Sequence, residues 1–150
     1  MKISTKGRYG LEAIVDLAIH SSEGRVNLKS ISERCGISEA YMLQIFLILR
    51  RAGIVESTRG TQGGYALSTE PSKITVGDVL TALEGPFAPV VCITEKAKHT
   101  CDRYKKCTAR SFWERVMNTL SDVANSITIE DLVECYKSNI PLNTELDYYI

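Results

Sequence analysis

Three of the five cysteines lie close together in the second half of the sequence. Eight residues separate Cys92 from Cys101, and five separate Cys101 from Cys107. Thiolates bind both zinc and iron-sulfur clusters, but structural zinc sites mostly use cysteine pairs spaced by two to four residues. Such pairs are absent from this sequence. The spacing therefore favours an iron-sulfur cluster, with Cys92, Cys101 and Cys107 as the predicted metal ligands.

The surroundings of these thiols are cationic, and a cationic field lowers thiol pKa values and stabilises an anionic cluster. The same charges could equally be solvated or lie near DNA. A cluster normally takes four protein ligands, and the fourth is left open among His99, Asp102, Cys135 and a residue of a second subunit. The alternative for the trio is free thiols with a redox role or none. The cationic residues and the nearby histidine are Lys96, Lys98, His99, Arg103, Lys105, Lys106 and Arg110.

Length and composition restrict the class of protein. A chain of 150 residues can form one compact core, or a small DNA-reading domain with a dimerisation element, but not two enzyme domains. Lysine plus arginine equals aspartate plus glutamate, although residues 1–65 carry nine basic and six acidic side chains. There is no signal-peptide pattern and no apolar run that could span a bilayer. We expect a cytoplasmic protein that is not an enzyme, with no membrane partner and no small-molecule substrate.

The first half of the chain has the pattern of a helix-turn-helix. Apolar residues recur at helical spacing from Leu11 and predict an amphipathic helix that runs to about His20. Asn27 and Ser38 are plausible N-caps for two further helices, and Gly36 supplies the turn between them. Two short helices joined by a tight glycine turn form this motif, and its second helix enters the major groove of DNA.

A small hairpin is predicted after the third helix. Residues 54–58 and 65–67 have strand character, and the glycine-rich segment 59–64 joins them. This hairpin is the wing of a winged helix-turn-helix. Thr75 and Asp78 then resemble a capping box, which opens a short helix that ends at Gly85. We assign residues 1–85 to a DNA-binding domain.

The second half predicts a loop and a long helix. Residues 86–108 have no clean period and contain all three clustered cysteines, so we assign them to a cluster-binding loop. Thr128 is a plausible cap for a last helix, and residues 109–150 are assigned to dimerisation and a C-terminal helix and tail. The predicted fold class is mainly α with a small β-hairpin wing. The long helix has apolar residues at alternating steps of three and four, which suit pairing with a second copy: Trp113, Val116, Leu120, Val123 and Ile127.

The predicted DNA contacts divide by role. Gln44 is the best base reader, because its amide can donate and accept at the adenine edge in the major groove. Arg59, followed by Gly60, is placed to enter a minor groove from the wing. The alternatives are an ordinary three-helix packing unit and glycines that only satisfy turn geometry. The remaining major-groove candidates are Ser38, Glu39, Ala40 and Tyr41, and the candidate phosphate contacts are Lys6, Arg8, Arg50 and Arg51.

Three parts of the sequence resemble the Rrf2 family of bacterial repressors. They are the opening Met1–Gly10, the wing Arg59–Tyr65 and the three cysteines ahead of Trp113, and the resemblance covers essentially the whole length. It implies a homodimer on a double-stranded DNA operator, with a cluster in the loop before the dimerisation helix. It also implies control of transcription by cluster occupancy, and we expect a 2Fe-2S cluster in preference to a 4Fe-4S cluster.

Within the family, the opening and the wing are more similar to the IscR and CymR branches than to the NsrR branch, and the three cysteines favour the iron-sulfur regulator branch, IscR. The ending Asp147–Ile150 resembles the CymR branch instead. Arg110 stands where the IscR branch has a histidine ligand, and Leu43 stands where it has a glutamate that helps to discriminate operator classes. The resemblance implies a repressor of iron-sulfur biogenesis genes. The alternatives are a regulator that senses nitric oxide, iron or cysteine status, and a redox protein.

Overall fold

The computed structural model describes residues 3–95, 101–139 and 142, with the backbone alone at Glu23. The predicted mainly helical fold with a two-stranded hairpin is confirmed. No helix within these ranges is long and apolar enough to cross a membrane. The elements in chain order are α1 (Thr5–His20), α2 (Leu28–Cys35), α3 (Glu39–Arg51), β1 (Val55–Thr58), β2 (Gly64–Leu67), α4 (Val76–Glu84), α5 (Ala109–Ser126) and α6 (Ile129–Ser138).

Side-chain caps set the starts of five of these helices, and Ser4 caps α1 by accepting a hydrogen bond from the Gly7 N–H. In the other four, the cap side chain likewise accepts a hydrogen bond from the backbone N–H of the residue three positions later. These caps are Asn27, Ser38, Thr75 and Thr128. An N-cap of this kind satisfies one of the amide donors that the first helical turn leaves without a partner. Gly36 ends α2 in the left-handed conformation, with φ of 68°. The predicted caps and the predicted glycine turn are therefore confirmed.

The core is built around α1, which packs against α2, α4 and α6. Gly10 permits the close approach of α1 to α4, because a Cβ at this position would overlap the Leu83 side chain. The third helix closes the opposite side of this core. The fully buried or nearly buried side chains that form it include Ala13, Ile14, Leu17, Ile31, Met42, Ile45, Phe46, Leu49, Val79, Leu83, Ile129 and Val133.

Backbone hydrogen bonds join the second half of the chain to the first. Thr75 and Thr128 form an antiparallel bridge, so that the caps of α4 and α6 lie side by side. The Val76 N–H donates to the Ile127 carbonyl at 2.9 Å, and the Ile129 N–H donates to the Ile74 carbonyl at 2.8 Å. The end of α5 and the start of α6 are thus fixed beside α4.

The hairpin is antiparallel and is itself attached to the helical core. Val55 pairs with Leu67 and Ser57 with Tyr65. Tyr65 also exchanges two backbone hydrogen bonds with Val26, the residue just before the Asn27 cap, at 2.9 and 2.7 Å. A Cβ at Gly64 would meet the Val26 carbonyl, so glycine allows this approach. The wing is therefore fixed to the segment that precedes α2.

Candidate functional site

The third helix presents one buried face and one face open to solvent. Met42, Ile45 and Phe46 are fully buried, whereas Gln44 is exposed and Leu43 is 42% exposed on the outer side. The predicted base-reading positions lie on this outer side, which is the side that can enter a groove. Ser38, Glu39 and Ala40 are exposed there, and Tyr41 is half-buried.

The start of α1 lies next to the start of α3. The Tyr9 and Tyr41 rings meet edge to face, with centroids 6.5 Å apart. The Arg8 guanidinium carbon lies 4.9 Å from the centroid of the Tyr9 ring, which is cation-π distance. Arg8 is exposed and Lys6 is half-buried. Arg8, one of the predicted phosphate contacts, is therefore linked through the Tyr9 ring to the start of α3.

The wing carries Arg59 at the beginning of its turn. Arg59 and Gly60 are both exposed, and Gly60 has φ of 109°, which favours glycine. The Gly63 N–H donates to the Gly60 carbonyl at 2.9 Å, and a Cβ at Gly63 would overlap the Thr58 carbonyl. The glycines thus satisfy the geometry of the turn, and Arg59 is exposed to solvent at its beginning.

Side chains also join the wing to α3, and the sequence did not predict this. Arg50 Nη1 donates to Ser57 Oγ on β1 at 3.0 Å, while Arg51 is exposed. The Phe46 and Tyr65 rings meet edge to face at 4.8 Å between centroids. A pairing between residues seven apart across a helix-to-strand corner has no periodic signal, so the sequence indicated only the charge of Arg50.

The predicted metal ligands lie in the segment between α4 and α5. Cys92 is half-buried in the short turn Val91–Ile93, and Cys101 and Cys107 are exposed; all are free thiols. Among the described residues, no group of three or more histidine, cysteine or carboxylate side chains is placed to bind a metal ion. The described segment therefore does not bring the three cysteines together. Of the candidate fourth ligands, Asp102 is exposed and Cys135 is half-buried on α6.

Part of the predicted cationic surroundings lies outside the described residues, namely Lys96, Lys98 and the candidate ligand His99. Three thiols have the chemistry that iron-sulfur clusters require of their protein ligands. They fit such a cluster in donor type and would supply three of its four usual ligands.

Arg110 attaches the cysteine segment to α5. Its Nη1 donates to the Tyr104 carbonyl at 3.1 Å, and its guanidinium carbon lies 4.4 Å from the centroid of the Tyr104 ring. Its Nε also lies 3.3 Å from Glu114 Oε1, one turn further along the helix. Ile93 is buried and packs near the same helix. The segment therefore contacts α5 at two places, one at Ile93 and the other at Tyr104, which Arg110 binds.

Two apolar surfaces lie on the outside of the molecule. A groove of about 920 Å³ runs along the outer face of α1, where Leu11, Val15 and Ile19 meet Leu80 and Leu132 of α4 and α6. The outer face of α5 carries a stripe formed by Phe112, Val116, Leu120 and Val123. Phe112 and Val123 are 58% and 51% exposed.

The stripe differs from the predicted pairing face at two positions, because it contains Phe112 in place of Trp113 and does not include Ile127, the residue that follows α5. Trp113 is half-buried against the ring of Phe112, with centroids 4.8 Å apart, and Phe112 takes the outer position. The prediction missed Phe112, because its spacing of four residues to Val116 fits the helical period as well as the spacing of three from Trp113 does.

Cys35 lines the groove along α1 and is half-buried at the end of α2. Burial raises the pKa of its thiol from an ordinary value of 9.0 to about 11, and the carboxylates of Asp16 and Glu12 act in the same direction. It packs against the core. Arg34, its neighbour in sequence, holds Asp16 with two hydrogen bonds of 2.8 and 2.7 Å.

Comparison with known proteins decides the family. The Rrf2 model, described as an iron-dependent transcriptional regulator, matches residues 3–135. The chain belongs to the Rrf2 family of transcriptional regulators. It is 42% identical over 132 residues to the HTH-type transcriptional regulator CymR of Bacillus subtilis (strain 168), covering 88% of this chain and 89% of that protein. It is 40% identical over 133 residues to the HTH-type transcriptional regulator IscR of Serratia proteamaculans (strain 568), covering 89% and 79%.

Solved structures agree with this Rrf2 assignment. The structure of B. subtilis CymR, the global cysteine regulator, has a TM-score of 0.72 at 42% identity and covers 89% of this chain and 97% of that one. That of T. potens IscR has a TM-score of 0.75 at 40% identity and covers 99% and 97%. The winged helix-turn-helix fold is therefore confirmed, and the matched relatives are transcriptional regulators of both branches.

Proposed function

We propose that this chain is a sequence-specific DNA-binding repressor that acts in the cytoplasm as a homodimer. The observation that carries the proposal is the joint exposure of Gln44 on the outer face of α3 and of Arg59 at the wing tip. Helix and wing can then read a major groove and an adjacent minor groove. In this arrangement residues 1–85 bind DNA, residues 86–108 hold the cofactor, and residues 109–150 supply the dimerisation helix followed by the C-terminal helix and tail.

The cofactor we propose is an iron-sulfur cluster, of the 2Fe-2S type in preference to 4Fe-4S, held by Cys92, Cys101 and Cys107. When bound there, it would make the protein sensitive to iron supply, oxidants or nitric oxide, and biogenesis genes for such clusters are the proposed targets. The family's iron-dependent description and the IscR relatives support this proposal. The chain's own part is mechanical, because Ile93 and Arg110 hold the segment against α5. Ordering of the segment would bias the position of α5 and of the DNA-binding half attached to it.

The proposed dimer forms between the two apolar surfaces. A second copy's stripe on α5 would cover apolar surface of the first copy, including the groove along α1. Contiguous exposed apolar area of this kind is typical of a protein-protein interface. Two copies related by a twofold axis also place two reading heads on one duplex, as helix-turn-helix dimers require.

The cluster is tested by anaerobic purification from iron-supplied cells, followed by iron and sulfide analysis and visible absorption spectroscopy. Cys92→Ala, Cys101→Ala and Cys107→Ala should each lose the visible absorption. Cys35→Ala is the matched control and should keep it, since this cysteine lies on α2 away from the segment. A colourless wild-type protein that holds stoichiometric zinc contradicts the cluster, and full cluster in all three variants contradicts the ligand set.

DNA reading is tested by selection of duplexes from a random-sequence pool with the wild-type protein. Enrichment of a common sequence, and weaker binding of it by Arg59→Ala, support the proposal. A chain that holds a cluster but enriches no sequence would instead be a redox protein that uses this fold as a scaffold.

A second candidate is a cysteine-responsive regulator. It is favoured by the 42% identity to B. subtilis CymR, whose solved structure is described as that of a global cysteine regulator. The two experiments above separate the candidates. Anaerobically purified protein that lacks iron and sulfide, yet enriches an operator, supports the second candidate.

A further inference from the structure

The guanidinium of Arg50 is turned back onto the wing. Arg50 lies in the last turn of α3, and its Nη1 donates to Ser57 Oγ at 3.0 Å. The bond crosses the corner formed by Ala52 and Gly53, where the chain turns from the recognition helix into β1. Ser57 is two residues ahead of Arg59, so the bond links the helix to the strand that carries the wing arginine.

A second arginine contacts the neighbouring residue of the same strand. Arg25 Nη2 lies 2.7 Å from Glu56 Oε1. Successive side chains of a strand point to opposite faces, so Glu56 and Ser57 are held from the two faces of β1. The other strand is attached by the backbone bonds of Tyr65 to Val26 and by the edge-to-face contact of the Tyr65 ring with Phe46 of α3. Arg50 therefore supplies the side-chain bond from the recognition helix to β1.

The adjacent arginine shows the contrast. Arg51 is exposed, as Arg50 is, but no hydrogen bond or ion pair of its side chain is found within the described part of the chain. A side chain in that state can reach a DNA phosphate without giving up another partner. Arg50 would have to break or share its bond to Ser57 to do the same.

We propose that Arg50 is a positioning residue that sets the wing, and with it Arg59, relative to α3, and that it is not chiefly a phosphate contact. The proposal rests on the DNA-reading function proposed above. A wing without this bond would spend less of its time in the binding orientation. The apparent affinity for DNA is proportional to the fraction of molecules in the binding orientation, so it falls when that fraction falls.

The experiment uses the full chain and a duplex enriched by the wild-type protein. Arg50→Ala and Ser57→Ala should each weaken binding by about three- to tenfold, the range expected for one hydrogen bond. Neither should change the dependence of affinity on salt. In an Arg59→Ala background, both effects should disappear, since the wing then has no arginine to position.

Arg51→Ala is the matched control for a phosphate contact. It should lower the salt slope by about one, as loss of one phosphate neutralisation does, and its effect should persist in the Arg59→Ala background. Ser68→Ala, an exposed serine at the end of the same hairpin, should bind as the wild type does. If Arg50→Ala fails to fold by circular dichroism, Ser57→Ala alone gives the answer.

The outcomes separate two failures. If Arg50→Ala lowers the salt slope while Ser57→Ala binds as the wild type does, Arg50 is a phosphate contact and the proposal is overturned. The proposal is also overturned if the effects of Arg50→Ala or Ser57→Ala simply add to that of Arg59→Ala. A wild-type chain that enriches no duplex overturns the proposed function, and it thereby also overturns this role of Arg50.

Discussion

The exposed side chains of α3 differ in how much sequence information they can read. The Gln44 amide donates and accepts at once, which matches adenine and no other base edge in the major groove. The hydroxyls of Ser38 and Tyr41 can bond to phosphates or bases alike. Tyr41 is also held by the ring of Tyr9. Base discrimination is therefore expected to depend on Gln44 first.

Gln44→Ala should cost about 1–3 kcal/mol of binding free energy to the selected duplex, the range for a bidentate base contact. The loss should be confined to one base position in each half-site and should leave the salt slope unchanged. Titration of duplexes that carry single base changes measures this. Arg51→Ala provides the comparison, since it should weaken binding to every duplex equally. Uniform weakening by Gln44→Ala would show that it contacts the backbone.

The Cys35 thiol should react slowly with alkylating reagents. Its pKa of about 11, raised by burial from 9.0, leaves about a hundredfold less thiolate near pH 8 than an ordinary cysteine has, and the thiolate is the reactive form. Iodoacetamide labelling of cluster-free protein, followed by mass spectrometry, should modify the exposed Cys101 well before Cys35. The Cys35 rate should continue to rise up to about pH 11. Equal rates for the two cysteines near pH 8 would contradict the raised pKa.

At the scale of the elements, local signals predicted helix starts and turns correctly. A cap needs only its own side chain and the amide three residues onward, so Asn27 and Thr75 were visible in the sequence. Gly36 was visible for the same reason, because its conformation is a property of one residue.

Contacts between distant residues could not be predicted in this way. The bridge between Thr75 and Thr128 joins residues far apart in the chain, and the Arg50 bond to Ser57 depends on the angle at a corner. Phe112 was missed because two adjacent aromatic residues fit the same helical period, and only packing decides which faces outward. The cysteine spacing predicted ligand chemistry, but it contains no information on how the segment is placed.

The capping box of α6 gives a prediction on pH. The backbone N–H and the hydroxyl of Thr128 both donate to Asp131, and these bonds hold the pKa of that carboxyl below its ordinary value. The charged form therefore stabilises the folded state above the ordinary carboxyl pKa, and this contribution is lost as the pH falls through the lowered pKa.

Asp131→Asn should accordingly lower the free energy of unfolding at neutral pH by roughly 0.5–1 kcal/mol. The difference from the wild type should shrink in acid. Denaturant unfolding at a fixed protein concentration across this pH range measures it. Glu130→Gln, in the same helical turn, should have a smaller effect, because it shares the helix dipole but has no part in the capping box. A constant difference at all pH values would contradict the assignment.

At the scale of the whole molecule, the groove along α1 and the stripe on α5 are apolar surfaces that remain exposed to solvent in the described fold. Val123→Glu would place a charge on the stripe that forms part of the proposed contact, where an unpaired charge is costly. We expect this variant to sediment as a monomer in analytical ultracentrifugation, at concentrations where the wild type is a dimer.

Leu43→Glu is the matched control for this variant. Leu43 is 42% exposed, against 51% for Val123, but it lies on the recognition helix. Without DNA it should sediment as the wild type does. A dimeric Val123→Glu protein would show that the copies meet elsewhere.

The position of α6 has a consequence for synthesis. Its side chains Ile129 and Val133 complete the core around α1, although they follow most of the chain in sequence. As the polypeptide leaves the ribosome, α1 is therefore exposed before the residues that cover it have been made. The N-terminal half cannot acquire its full packing until α6 emerges. A transcript broken between the codons for α1 and α6 would yield a DNA-binding half with part of its core exposed to water.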